Sequence, residues 1–177
     1  MTLNPPLYRY VGPKRIADRV PDAPTGTPIR SPADVLAWVA APGPQPDRAG
    51  LLIVTFVIDQ SGTLLVADRQ SEHVACAGRQ PVFSAGEMTF LVSGKVVEMA
   101  EVSNQSTGYC PEPESWPAVA AALAAARLSG LDGFSPSCVI RRCVHCDQKN
   151  LVKDNVFECQ VCGKELPTTY NCRDIVG

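Results

Sequence analysis

Leu51-Leu-Ile-Val-Thr-Phe-Val-Ile58, then Asp59-Gln-Ser-Gly62, then Thr63-Leu-Leu-Val-Ala67, is the stretch that sets the architecture. The first run is apolar but for one threonine and rich in β-branched residues. It is far shorter than the roughly 18–20 residues of a membrane span, and it suits a buried strand. A four-residue turn ending in glycine sends the chain back through a second strand, so the two form an antiparallel hairpin. A second hairpin is expected from Glu87-Met-Thr-Phe-Leu-Val92, the turn Ser93-Gly94, and Lys95 to Val102. In its last strand Val96, Glu98, Ala100 and Val102 alternate with Lys95, Val97, Met99 and Glu101, so neither face is cleanly apolar.

Two helices flank these hairpins. Ser31-Pro32-Ala33-Asp34 has a serine N-cap, proline at the first helical position and an acid three residues on, and the helix is expected to run to about Ala40. The proline-rich stretch Ala41 to Asp47 stops it, because proline removes donors and biases its predecessor toward extended backbone. Ser115 to Gly130 reads as the second helix, with serine as N-cap, an alanine-rich body and glycine just past the end. Its Val119, Leu123 and Ala126 would face the sheet. Residues 1–30, with six prolines, are expected to lie as an irregular arm whose only strand-like patch is Tyr8 to Val11.

A chain of 177 residues accommodates one ordinary core and a small appendage. Hydrophobic residues make up 45% and charged residues 19%, which is globular rather than disordered composition. The start, Met1-Thr-Leu-Asn-Pro-Pro, lacks the basic and apolar segments of a secretory signal. A cytoplasmic protein is therefore expected, with no membrane partner. Residues 1–137 carry ten Lys/Arg against thirteen Asp/Glu, and residues 138–177 six against five. Neither part has the basic excess that phosphate binding demands, although Arg141, Arg142, Lys149, Lys153 and Lys164 could form a local patch.

Eight cysteines in a reducing compartment point to metal or thiol chemistry before disulfides. Four of them, Cys143-x-x-Cys146 and Cys159-x-x-Cys162, form two pairs with twelve residues between. Thiolates are soft, anionic ligands, and two such turns can aim four sulfurs at one tetrahedral Zn2+. The doubled motif resembles a rubredoxin-like zinc ribbon. The resemblance implies a hairpin across Asn150 to Glu158, turning at Asp154-Asn155, and a residue at positive φ at Gly163. Four protein ligands leave no open position, so one structural zinc is expected. His145 would point away from it, and Cys138 and Cys172 would be spare or buried thiols.

Two polar loops beside the expected strands are Ser71-Glu72-His73-Val-Ala-Cys76-Ala-Gly78 and Ser103-Asn-Gln-Ser-Thr-Gly-Tyr109-Cys110-Pro111. His73 could serve Cys76 or Cys110 as the base of a nucleophile. Alternatively His73, Cys76 and Cys110, with Glu72 or Glu87, could hold a second metal, or both cysteines could simply be buried small hydrophobes. The zinc-deaminase signature is absent, since Ala75 stands where it needs glutamate and Cys110-Pro-Glu-Pro holds no second cysteine.

Ala77-Gly78, Ser84-Ala-Gly-Glu87 and Ser106-Thr-Gly-Tyr109-Cys-Pro111 resemble the C-terminal domain of plant IQ-motif calmodulin-binding proteins and related bacterial domains. That pattern runs His-Ser-Ser-Phe-Leu-Ala-Gly, Ala-Ala-Gly, Ser-Gly-His-Tyr-Arg-Pro, and the match spans residues 71–116. Glu72 and Gly108 stand where that family has its histidines, and the chain has no IQ motif. The resemblance implies a strand-rich α+β domain with a pocket between the two loops.

The sequence thus leads to an α+β domain over residues 1–136, built on antiparallel hairpins with two helices, followed by a zinc ribbon over 137–177. For function it favours a binding or adaptor module that recognises another macromolecule, protein rather than nucleic acid. The alternative is a small hydrolase or transferase using His73 with Cys76 or Cys110.

Overall fold

The computed structural model describes residues 5–128 and 130–173. The arm contains one helical turn, α1 (Lys14–Ala17), and a short strand, β1 (Thr27–Ile29). Then follow α2 (Pro32–Ala40), β2 (Leu51–Ile58), β3 (Leu64–Asp68), the single turn α3 (His73–Cys76), β4 (Ser84–Ser93), β5 (Val96–Val102), α4 (Trp116–Ala125), β6 (Val139–Arg142) and β7 (Lys149–Val152). Five strands make one antiparallel sheet in the order β1-β3-β2-β4-β5, and β6 and β7 make a separate hairpin. The fold is α+β, as expected.

β2 is continuously apolar because both of its faces are covered. Leu52, Val54, Phe56 and Ile58 join Leu64, Val66, Met88 and Phe90 in a cluster capped by Val35 of α2 and by Val119 and Leu123 of α4. On the opposite face Val57, Leu65 and Ala85 pack against Val74, Cys76, Tyr109 and the arm residue Tyr8. The one polar residue in the strand, Thr55, shares its hydroxyl proton between the Arg69 and Ser71 carbonyls, each 3.2 Å away, and ties down the chain leading to α3. The second hairpin loses its alternation at a bulge: Thr89 faces Glu101 but Phe90 faces Met99, leaving Ala100 unpaired. The extra residue shifts the phase, so that Val97, Met99 and Val102 all reach the helix-covered face.

Three local expectations are corrected. The arm is not wholly irregular, since β1 adds an edge strand to β3, where Pro28 is tolerated, and Tyr8 exchanges backbone bonds with Val82 at 2.8 and 2.9 Å. Ser115 does not cap α4. It lies in helical conformation and is buried, with its hydroxyl 2.9 Å from that of Ser84. Nor does α4 reach Gly130. Arg127 turns to φ 57, and the Leu128 and Arg127 amides bond back to the Leu123 and Ala124 carbonyls at 2.8 and 3.0 Å, closing the helix in a Schellman motif. α2 behaves as read: Ser31 accepts from the Asp34 amide, and Asp34 reaches the Arg30 amide at 2.8 Å.

Candidate metal centre

Cys143, Cys146, Cys159 and Cys162 converge so that their sulfurs all lie within 4.8 Å of one another. Two of the pairs, Cys143 with Cys162 and Cys146 with Cys159, are each 3.6 Å apart. Four sulfurs at zinc–thiolate distance around a tetrahedral ion would stand about 3.8 Å apart, so the donor set and its spacing fit such a metal.

The backbone builds this spacing. The Asp147 amide bonds to the Cys143 carbonyl at 2.9 Å and the Gly163 amide to the Cys159 carbonyl at 2.8 Å. Asp147 and Gly163 then take φ 63 and 68, which reverses the chain after each pair. The turns also point amide N–H groups at sulfur. The Cys159 thiol is held down to about 6 chiefly by the Cys162 amide, with the Val161 amide and Asn150 helping. Asn150 was not anticipated: it is buried, and its side chain donates to Cys159 Sγ at 3.4 Å and accepts from the Gln160 amide at 2.9 Å. Nothing local marks an asparagine for that role.

The hairpin serving the cluster differs from the one expected. β6 pairs with β7 on either side of the first cysteine pair, from Val139↔Val152 to Arg142↔Lys149. The second arm closes only through isolated bridges, Lys153↔Val156 and Glu158↔Glu165. The Asp154-Asn155 turn is present, with both residues at positive φ.

The polar loop 103–111 joins this C-terminal part to the sheet. Asn104 is buried; its amide group donates to the Pro111 and Cys138 carbonyls, both at 2.8 Å, and its carbonyl accepts from the Cys138 amide at 2.7 Å. Arg141, with a side chain only 6% exposed, forks onto Glu112 at 2.7 and 3.0 Å. Tyr109 is buried and donates to the Gln80 carbonyl at 2.8 Å. Gly86 lets the loop approach β4, since a Cβ there would stand 1.9 Å from the Ser103 carbonyl oxygen.

The other candidate residues are placed apart. His73 Nε2 donates to the Gly86 carbonyl of β4 at 2.9 Å, which fixes the proton on that nitrogen, and burial pushes its pKa below the ordinary value. Cys76, on the same turn, points to the Leu65 carbonyl of β3 at 3.7 Å, and burial pushes its thiol up to about 12. β2 lies between those two strands. Glu87 pairs with Arg69 at 3.2 Å, both side chains well exposed. Cys110 packs with Cys172, Val11 and Ile140. Among the described residues, the four cysteines of the two pairs are the only group of three or more potential ligands brought together.

No helix among the described residues is long and apolar enough to cross a membrane. No family model, curated protein or solved structure matches the chain, so the resemblance to the IQ-motif proteins has only its quoted motifs behind it.

Proposed function

We propose that the C-terminal part, from about residue 137, is a zinc ribbon that acts as a docking module for another protein, carried by the α+β domain of residues 1–136. The observation that carries this reading is what the two cysteine turns present. Val144 and Val161, one within each Cys-x-x-Cys, are both 69% exposed, and Val156 at the hairpin turn is 59% exposed. Apolar side chains held out on a rigid, metal-fastened scaffold suit a protein interface. Protein is preferred over nucleic acid because three of the five nearby cations are already engaged: Arg141 with Glu112, Arg142 with Asp147, and Lys149 with the Val11 and Thr107 carbonyls. Zinc is preferred because the four donors are all sulfur and closely spaced, and a reducing compartment such as the cytoplasm keeps them as thiols. The enzymatic alternative gains less support, since His73 makes its bond on β4 and Cys76 on β3.

Elemental analysis of the purified chain should find one zinc per molecule, lost in Cys143→Ser; a zinc-free, folded ribbon would sink the metal half of the reading. For the docking half, a photo-crosslinking residue at Val144 or Val161 should capture one defined protein in cells, and Val144→Asp with Val161→Asp should abolish capture while zinc is retained. Equal capture from a control position at Lys95 would reject it.

A further inference from the structure

We propose that Cys110 and Cys172 form a peroxide-responsive dithiol, separate from the metal cluster, which closes to a disulfide and fastens the C-terminal segment to the 103–111 loop. The two residues come from opposite ends of the chain's second half yet share one small buried cluster with Val11 and Ile140. Neither belongs to the four-sulfur group. Each is only 1% exposed, but Cys172 borders an open groove of about 900 Å³ whose walls include Tyr8, Arg9, Glu112, Tyr170 and Arg173. Cys172 lines that groove and Cys110 does not, so Cys172 is the member of the pair placed for a small hydroperoxide to approach; at rest its thiol points to the Ile140 carbonyl at 3.6 Å.

Three further observations fit this division of labour. The Lys149 ammonium donates to the Thr107 carbonyl at 2.8 Å, and the Cys110 thiol points to the same oxygen at 3.4 Å, which places a cation beside the sulfur pair. Cys110 has φ 48, a left-handed conformation that is unfavourable for a non-glycine residue and that tends to persist where the side chain must be aimed. The closeness of the two sulfurs favours the anion on Cys172 and the protonated form on Cys110, and Lys149, Arg142 and Arg141 add to the first effect.

The chemistry balances without a metal. The Cys172 thiolate attacks the terminal oxygen of a hydroperoxide; an S–O bond forms, the O–O bond breaks, and the departing alkoxide or hydroxide takes up a proton. The resulting sulfenic acid condenses with the Cys110 thiol, forming the S–S bond and releasing water, so the two thiols together supply the two electrons. A dithiol reductant reverses the change by exchange.

The test exposes the full chain as purified to rising hydrogen peroxide, alkylates the remaining thiols and maps disulfides by mass spectrometry, with metal release followed by a chromogenic chelator. The expected result is a peptide joining Cys110 to Cys172, two hydrogens lighter than its parts, at peroxide levels that release no metal. If both residues stay fully alkylatable until the four ligand cysteines oxidise, the proposal fails. In Cys110→Ser, dimedone should label Cys172; absence of that label in a folded, metal-retaining variant would overturn the assignment of Cys172 as the attacking thiol. The wild-type map decides the disulfide itself even if the variant does not fold.

Discussion

The sheet and the cysteine hairpin are held together by different physics. In the sheet, sixteen buried residues form one cluster under two helices, and a second cluster covers the other face. Around the cysteines the comparable cluster has three buried members, Cys143, Cys159 and Leu166, and two of those belong to the four-sulfur group that could hold a metal. Burial at about 25 cal/mol per Å² can sustain the first and cannot sustain the second. A region that small needs a staple, and here the four sulfurs supply the place for one. The contrast also explains the loop 103–111: with so little cohesion of its own, the C-terminal part is tied to the sheet through Asn104, Glu112 and the packing of Cys110 against Cys172.

The sharpest way to break this contrast is to strip the metal. Structural zinc contributes about 10–16 kcal/mol to zinc-finger peptides, so on the proposed reading of the four sulfurs as a zinc site, chelation under reducing conditions should abolish amide-exchange protection in β6, β7 and the two turns. Protection in β2 and β4 should survive. If both regions lost protection together, the hairpin would be integral to the main core.

Asn104→Leu probes the joint. It removes three hydrogen bonds and leaves the Cys138 amide and the Pro111 and Cys138 carbonyls without that partner. Each orphaned buried group costs about 1–3 kcal/mol, so urea denaturation should show a loss of about 3 kcal/mol or more, with proteolysis beginning near residue 138. A cost under about 1 kcal/mol would mean the parts are held together elsewhere.

His73 offers a smaller test confined to the sheet side. Its folded pKa is lowered by burial, so the unfolded chain binds the proton first. Stability is therefore full above the unfolded value, about 6.5, and falls as pH drops toward the folded value, by up to about 1.4 kcal/mol per pH unit. The difference in stability between the wild type and His73→Gln, whose amide can still donate to Gly86, should shrink over that window. A pH-independent difference would remove His73 as the cause.

These sites differ in how far the sequence exposes them, and the reason is locality. β2 and α2 are read to the residue because their signals, a continuous β-branched run and Ser31-Pro32 with Asp34, act within one element. The cysteine pairs are legible for the same reason, since each Cys-x-x-Cys is four residues long. What escaped reading depends on distant partners. Asn104 finds Cys138 and Cys110 finds Cys172 across long separations, and Asn150 earns its place only once Cys159 is beside it. The bulge at Ala100 hides in a strand whose sequence shows only a muddled alternation, because a single extra residue exchanges the two faces.

The end of α4 joins both lessons, and it sets the smallest effect. Gly130 carries the local signal for a helix stop, yet the chain turns at Arg127, where Leu128 folds back into the cluster of Val119 and Leu123. Burying that leucine outweighs the strain of an arginine at φ 57. Arg127→Gly would keep the turn and the leucine contact while removing the strain, and should raise stability by about 1 kcal/mol. The gain should appear in the unfolding transition of the sheet and leave metal affinity at the cysteines unchanged, because α4 packs on the sheet cluster. A loss of stability instead would show that the arginine side chain contributes more than its left-handed backbone costs.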